Sequence, residues 1–480
     1  MAMQYVRYED FGAKGDGHTD DMPAIVAAHA HANEAHLPVK TDPDATYYIG
    51  GGEMTATIAT DVDWTTSRFI IDDRALANRN ASLFVVPSLL ERIPLSLTEL
   101  RKGQRQLEVT LPSDCLVFVR NEHKKMFIRK GVNASSGTVM RDFFVARQSG
   151  EVLSFISWDF AEITGSYAKP IETEALRIQG GQFTTLANQE ESKYNYHARN
   201  IHIRRSRIEL SGLTHTVEGE GETGAPYAGF LSVSEAAYVT LRDCHLSGHK
   251  LYHTLTTRNE ISPMGTYDIN LNTTAFVNLV NITQQPSIMD SRYWGLMGTN
   301  FCKDLSLQGC VISCCDAHTG AANVTVRDCS IGWQQLAVIG HGELLVENST
   351  VYGSALVSLR YDYGSHWDGK LTIKNCVWQP RGKHPAVIAG ANEGNHDFGY
   401  DCQMPTNIDI DDLLIDDTKA TEMEEIYLLN RYDGDYAPGK PFPYRTPRHV
   451  RYQNVRTKSG REVLLYPQAE LYADTVIEAL

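Results

Sequence analysis

Three aspartates, Asp268, Asp316 and Asp362, stand in short segments where apolar or small residues alternate with polar ones: "YDINL", "DAHTG" and "SLRYDYG". His318 follows Asp316 by two positions, Arg360 precedes Asp362 by two, and Asn270 follows Asp268 by two. Two neighbouring carboxyl groups can share one reaction, one giving a proton to a leaving oxygen while the other activates water. A histidine beside them tunes their protonation, and an arginine holds a carboxylate or hydroxyl. Trp294, in "WGLMG", offers a flat apolar surface for a ring to stack on. Flanking loops add Asp290 and Arg292 in "IMDSRYWG", His366, Trp367 and Asp368 in "YGSHWDG", and Glu218, Glu220, Glu222 and Tyr227 in "EGEGETGAPY". His249 and Lys250 come from "SGHK", and His341 from the Gly-His-Gly at Gly340–Gly342.

Such residues act together only if the backbone stacks them. A second set of segments supplies the stacking: "VTLRDCHL", "LSLQGCVI", "VTVRDCSI", "LLVENSTV" and "LTIKNCVW", with weaker copies in "IHIRRSRI", "VNLVNITQ" and "IDIDDLLI". Each reads as a short strand and then a bend. Anchored at 203, 241, 279, 307, 326, 346, 373 and 410, they step by 38, 38, 28, 19, 20, 27 and 37 residues. Short strands at this period, with no helix between, describe a parallel β-helix. Two residues past each anchor stand Arg205, Asp243, Asn281, Gly309, Asp328, Asn348, Asn375 and Asp412. Gly, Asn and Asp suit a left-handed turn there. One position further come Cys244, Cys310, Cys329 and Cys376, four of the nine cysteines. They are expected as small buried thiols rather than disulfides.

Successive coils of such a solenoid lie about 4.8 Å apart. Period-two alternation then puts Tyr267, Ile269, Gly295, Met297, Ala317, Thr319, Ala337, Ile339 and Tyr361 inside. Outside run one column of Asp268, Trp294, Asp316, Leu336 and Arg360, and another of Asn270, Leu296, His318, Val338 and Asp362. Asp316 would lie two coils from both other aspartates, about 10 Å by backbone, which side chains can shorten to the roughly 6.5–9.5 Å of an inverting glycosidase.

The open end of a solenoid needs a cap. "DFGAKGDGHTDDMPAI" fits that task, with glycines for a sharp turn, Thr19 or Asp20 as N-cap, Pro23 in the first helical turn and an alanine-rich helix after it. "FGAKGDGHTDD" before such a helix resembles the N-terminal signature of the pectate-lyase-like superfamily of right-handed parallel β-helices. That group holds polygalacturonase-type glycoside hydrolases, polysaccharide lyases, epimerases and tailspike depolymerases. The resemblance implies an all-β, single-stranded right-handed parallel β-helix with a capping helix, and a carbohydrate as substrate. The polygalacturonase set of Asn-x-Asp, Asp-Asp and Gly-His-Gly is not present in order.

The expected organisation is a cap and first coils over 1–87, a β-rich insert over 88–170, the site-bearing coils over 171–429, and a closing loop and cap over 430–480. From Arg92 to Arg147 the insert carries eleven Lys/Arg against five Asp/Glu. The whole chain of 480 residues has a net charge of −15, which argues against nucleic acid as partner. No run is long and apolar enough for a membrane. The start "MAMQYVRYED" carries no secretion signal, so a cytoplasmic protein is expected, or a secreted or periplasmic one whose signal has been removed. A homo-oligomer is compatible with the sequence. No zinc or EF-hand spacing appears; Ca²⁺ would have to rely on the acidic loops, and no cofactor is expected. The chemistry expected is hydrolysis of an oligo- or polysaccharide by Asp316, Asp362 and Asp268, assisted by His318 and Arg360. Trp294, Asn270, Asp290, Arg292, Tyr227, His249, Lys250, His341 and His366 would bind the substrate. The alternatives are β-elimination on a uronate, with Arg360, Lys250 or Arg292 as base, and a solenoid that only binds glycan.

Overall fold

The computed structural model describes residues 5–480 except 77, 79, 131–135, 194–195, 256–258, 392–395, 431–444 and 468. The proline- and tyrosine-rich stretch expected as a closing loop lies mostly outside the described residues. The chain forms two compact units, one of Met1–Leu90, Ile171–Thr274 and Asn278–Gly298, the other of Glu91–Pro170, Ala275–Val277 and Thr299–Leu480.

The first unit begins with the cap. Its helix runs Met22–Ala35 with Pro23 in the first turn, and its N-cap is Asp21 rather than Thr19 or Asp20. Asp20 nonetheless takes part in the cap, its Oδ1 accepting the Met22 N–H at 3.1 Å. The Asp21 carboxylate turns back to accept the backbone N–H of Lys14 at 2.6 Å and of Gly15 at 3.1 Å, fastening the glycine loop to the helix start. Gly15 has φ +58°, and a Cβ there would meet Ala45 at 2.9 Å. Asp16–Asp20 is itself a strand, pairing in parallel with Thr46–Ile49. Behind the helix, parallel strands stack in register: Val62, Ile178, Leu210 and Leu241 form one inward column, all buried. Phe69 and Phe183 stack at 4.5 Å in a similar column.

The second unit repeats the coil with Val326, Val346, Ile373 and Ile410 aligned and buried. The turn column holds across both units: Asp243, Asn281, Gly309, Asp328, Asn348, Asn375 and Asp412 all have φ between +49° and +65°. Within a unit, Asn281 donates to the Asp243 carboxylate at 2.9 Å, and Asn375 to the Asn348 side-chain oxygen at 2.8 Å, so the turn residues also tie neighbouring coils. The earliest coil departs from the pattern, since the left-handed residue there is Arg207 and not Arg205. All nine cysteines are free and buried. The shared cysteine position has a polar use: Cys310 donates its N–H to Cys329 Sγ at 3.3 Å, and Cys329 donates its own to Ser349 Oγ at 3.0 Å.

The insert belongs to the second unit. Cys115–Met126 pairs antiparallel with Thr138–Ala146 and with Gly165–Pro170, which pairs in turn with Ile93–Leu95. Phe118 stacks on Tyr167 at 4.6 Å within this sheet.

One expectation about the coils fails by a register slip. Asp316 is aligned with Ala337 and Ser358, not with Leu336 and Arg360. Leu336 and Val338 are wholly buried, as is Leu296, because apolar side chains take the inward positions. Arg360 lies beyond the strand Ala355–Leu359, at the start of a 3₁₀ turn over Tyr361–Tyr363, and Tyr361 is 69% exposed rather than inward. The chain leaves the strand at that point, so alternation no longer predicts direction.

Candidate active site

The first unit gathers Asp268, His249, Tyr227 and Lys250 around a buried polar chain. Asp268 is 0% exposed. Its Oδ2 accepts from His215 Nδ1 at 2.8 Å and from the Ser247 N–H at 2.9 Å, while Oδ1 accepts from His249 Nε2 at 2.9 Å. His249 Nδ1 donates to Glu220 at 2.8 Å, and Glu220 also accepts from the Tyr252 hydroxyl at 2.6 Å and the Lys250 N–H at 3.0 Å. Both ring nitrogens of His249 therefore donate to carboxylates, which requires the imidazolium. Burial pushes its pKa down, but Glu220 and Asp268 outweigh burial and raise it to about 10. Burial likewise pushes Asp268 up, and His215 and His249 hold it at about 2. His215 is closed by Thr185 at 2.9 Å and by Phe230 stacked at 3.8 Å; Tyr227 stacks on His249 at 5.2 Å. Lys250 reaches the carbonyls of Gly221 and Thr223. A chain with each proton fixed between buried partners is suited to holding the 218–224 loop rather than to turnover.

The remaining first-unit candidates serve other ends. Asn270 donates to the Ala228 carbonyl at 2.9 Å. Asp290 and Arg292 form a surface ion pair at 2.6 Å. Trp294 is half-buried with its indole seated over Gly265, where a Cβ would come within 1.9 Å of Nε1.

The second unit brings Asp316, Arg360 and Asp362 together. Arg360 donates to Asp316 at 2.6 Å and, through two nitrogens, to Asp362 at 3.2 and 3.0 Å; Arg129 adds a contact to Asp362 at 2.7 Å. Burial acts to raise the Asp362 pKa, yet Arg360 and Arg129 hold it below the ordinary carboxylate range. His318 hydrogen-bonds Asn300 at 2.6 Å, and burial with the Arg360 charge lowers it to about 4. The two aspartates thus share one guanidinium. That arrangement favours the ionised form of Asp362 and denies it the raised pKa a general acid needs.

A cleft of about 620 Å³ opens in the same unit. Its insert side brings Lys102, Lys124, Lys125, Trp158 and Asp159; its coil side brings His366, Asp368, Tyr400, Asp401 and Arg445. Trp158 is half-buried and packs edge-on against His341 at 4.4 Å, parallel to His366 at 5.8 Å, and against Tyr400 at 5.5 Å. His366 Nδ1 donates to the Asp401 carbonyl at 2.8 Å, which fixes its tautomer. Burial lowers His366 to about 3 and His341 well below its ordinary value, so both are neutral near pH 7. Lys102 stands between two carboxylates: its ammonium pairs with Asp368, and its backbone N–H donates to Asp159 at 2.8 Å. Burial pulls its amine pKa down. Among the described residues no group of three or more His, Cys, Asp or Glu is arranged to hold a metal ion.

Of the sequence candidates, His366 and Asp368 line this cleft and His341 supports its floor. Trp158, Lys102, Asp159, Tyr400 and Arg445 were not foreseen. They come from the insert and from late loops, outside the repeat. The one sequence signal was "SWDF", an aromatic between polar residues in a segment without period.

No protein-family profile matches the chain, and no curated relative does. Solved structures do. The tailspike gp49 of Pseudomonas phage LKA1 superposes with a TM-score of 0.56 at 13% identity, covering 99% of this chain and 78% of that one. The tailspike gp61 of Pseudomonas phage phi297 gives 0.59 at 12% identity, covering 99% and 84%. At such identity the likeness is one of fold, and it agrees with the stacked parallel coils and the N-terminal cap. The chain has the fold of a right-handed parallel β-helix.

Proposed function

We propose that this chain binds and processes a glycan in the cleft of its second unit. The observation that carries the reading is the half-buried indole of Trp158, set in a cleft whose walls bear both carboxylates and cations. Sugar rings present C–H faces to aromatic rings, and their hydroxyls take hydrogen bonds from charged groups around the rim. Lys102 pairs with Asp368 and Arg445 with Asp401, and Lys124, Lys125, Asp159 and Asp397 complete a lining that offers both donors and acceptors to sugar hydroxyls. The similarity in fold to two phage tailspikes is consistent with this reading.

For the reaction, hydrolysis is the first reading, with Asp159 and Asp368 as the carboxylates because they flank Lys102 inside the cleft. Asp316 and Asp362 then serve as a strut, joined through Arg360. Elimination from a uronate is the second reading. Its specific support is Lys102, whose amine burial shifts toward the neutral form that can take a proton. Arg360 and Arg292 suit that role less, since a guanidinium keeps its proton in proteins, and Lys250 does not line the cleft.

The test is a panel of neutral and uronate-bearing polysaccharides, followed at once for new reducing ends and for the ultraviolet absorbance of an unsaturated uronate. Reducing ends without absorbance, lost in Asp368→Asn, support hydrolysis. Absorbance lost in Lys102→Met supports elimination. Turnover that survives both variants overturns the cleft as the site.

A further inference from the structure

Two side chains that do not line the cleft bind the backbone just before Trp158. Lys303, on a coil strand, and Asp142, on an insert strand, form an ion pair at 2.5 Å with side chains 1% and 3% exposed. Lys303 Nζ also donates to the Phe155 carbonyl at 2.5 Å. The second oxygen of Asp142 accepts the Ser157 N–H at 2.7 Å, and the first also accepts the Phe143 N–H at 2.9 Å. One buried pair thus grips the backbone at Phe155 and at Ser157, the residue before Trp158. The Phe143 ring lies 5.0 Å from the ammonium.

A buried ion pair is a poor device for stability alone. Taking two charges from water costs about as much as their attraction returns, and apolar or neutral replacements of similar volume are often as stable. Here each charge is aimed at the main chain of one short segment, so the pair fixes position as well as joining two strands. The indole it presents is held from beneath by His341, His366 and Tyr400.

We propose that Lys303 and Asp142 are positioning residues that hold Trp158 as a rigid platform for a sugar ring. The proposal rests on the glycan reading of the cleft for the ring's purpose, and on the ion-pair geometry alone for the rigidity. A platform held in advance loses less ordering entropy on binding than one that must settle around its ligand.

The experiment uses the full chain with Lys303→Met and Asp142→Asn together, which removes both charges and leaves neither alone in the core. The first readout needs no ligand: amide exchange at residues 155–159, and the fluorine line of 5-fluorotryptophan assigned to Trp158 through Trp158→Phe. Faster exchange confined to that segment and a broadened line, with the melting profile kept, are expected. Unchanged exchange and line overturn the proposal; so does a loss of protection spread over the whole chain, which is the mark of a merely structural pair. The second readout is binding of oligogalacturonate, oligomannuronate and dextran oligomers. The double variant should bind about tenfold more weakly, and that loss should vanish in a Trp158→Ala background. An equal loss in both backgrounds overturns positioning through Trp158. If none of the oligomers binds the wild type, the glycan reading is what fails, and the exchange arm still decides the positioning claim.

Discussion

Replacing Asp268 by Asn removes a charge and little volume from a fully buried place. The carboxylate accepts three hydrogen bonds, two on Oδ2 from His215 and Ser247 and one on Oδ1 from His249. The amide oxygen of Asn can keep the first two. Its NH₂ then faces the N–H of His249, donor against donor. His249 can relieve that clash by shedding the proton, but only by giving up its charged pairing with Glu220 at 2.8 Å. Breaking a buried charge pair costs about 3–5 kcal/mol, and the escape by deprotonation puts this case near the lower end, about 3 kcal/mol. Urea unfolding of the wild type and Asp268→Asn at neutral pH measures it. The pH dependence gives a second check. Asp268 and Glu220 have folded pKa values below their unfolded ones, so their contribution is present above about pH 4 and is lost as pH falls toward 2. His249 is raised to about 10, so its contribution is full below its unfolded pKa of about 6.5 and is lost as pH rises through 10. The wild type should be steadiest between those limits, and the variant's deficit should shrink toward pH 2. A deficit under about 1 kcal/mol, or one independent of pH, would refute the charged-chain account.

Arg360→Met leaves Asp316 and Asp362 without their shared guanidinium; it should destabilise by about 3–5 kcal/mol at pH 7, with the deficit shrinking in acid as the carboxylates take protons, read by denaturant midpoints across pH. Gly340→Ala puts a Cβ 2.0 Å from the Ala321 carbonyl oxygen, so the coils must part, and melting should fall by the equivalent of about 2 kcal/mol or more. All nine thiols are buried, so a thiol reagent should find none promptly in the native chain and nine in denaturant; prompt native labelling would contradict the stacked-thiol core.

The repeat was legible because its turns demand something few residues supply. Asp243, Asn281, Asp328, Asn348, Asn375 and Asp412 stand where the backbone is left-handed, and the sequence pattern marked each of them. The cap was legible in type but not in detail, since Asp21 trades its place over the helix for the glycine loop. Direction failed where a strand ends: Arg360 and Tyr361 were read by alternation after alternation had stopped. The cleft was hidden for a different reason. Trp158 and Lys102 come from an insert with no period, and only long-range pairing, such as Lys303 with Asp142, brings them to the coils.

The sequence and the structure nominate different indoles for the sugar, Trp294 and Trp158, and this makes the central claim directly testable. Binding of the panel oligosaccharides should be measured by titration calorimetry for the wild type, Trp158→Ala and Trp294→Ala. Loss of a stacked ring should weaken binding by about tenfold or more in Trp158→Ala and leave Trp294→Ala near wild type. Full affinity in Trp158→Ala, with loss in Trp294→Ala, would contradict the second-unit cleft as the glycan site.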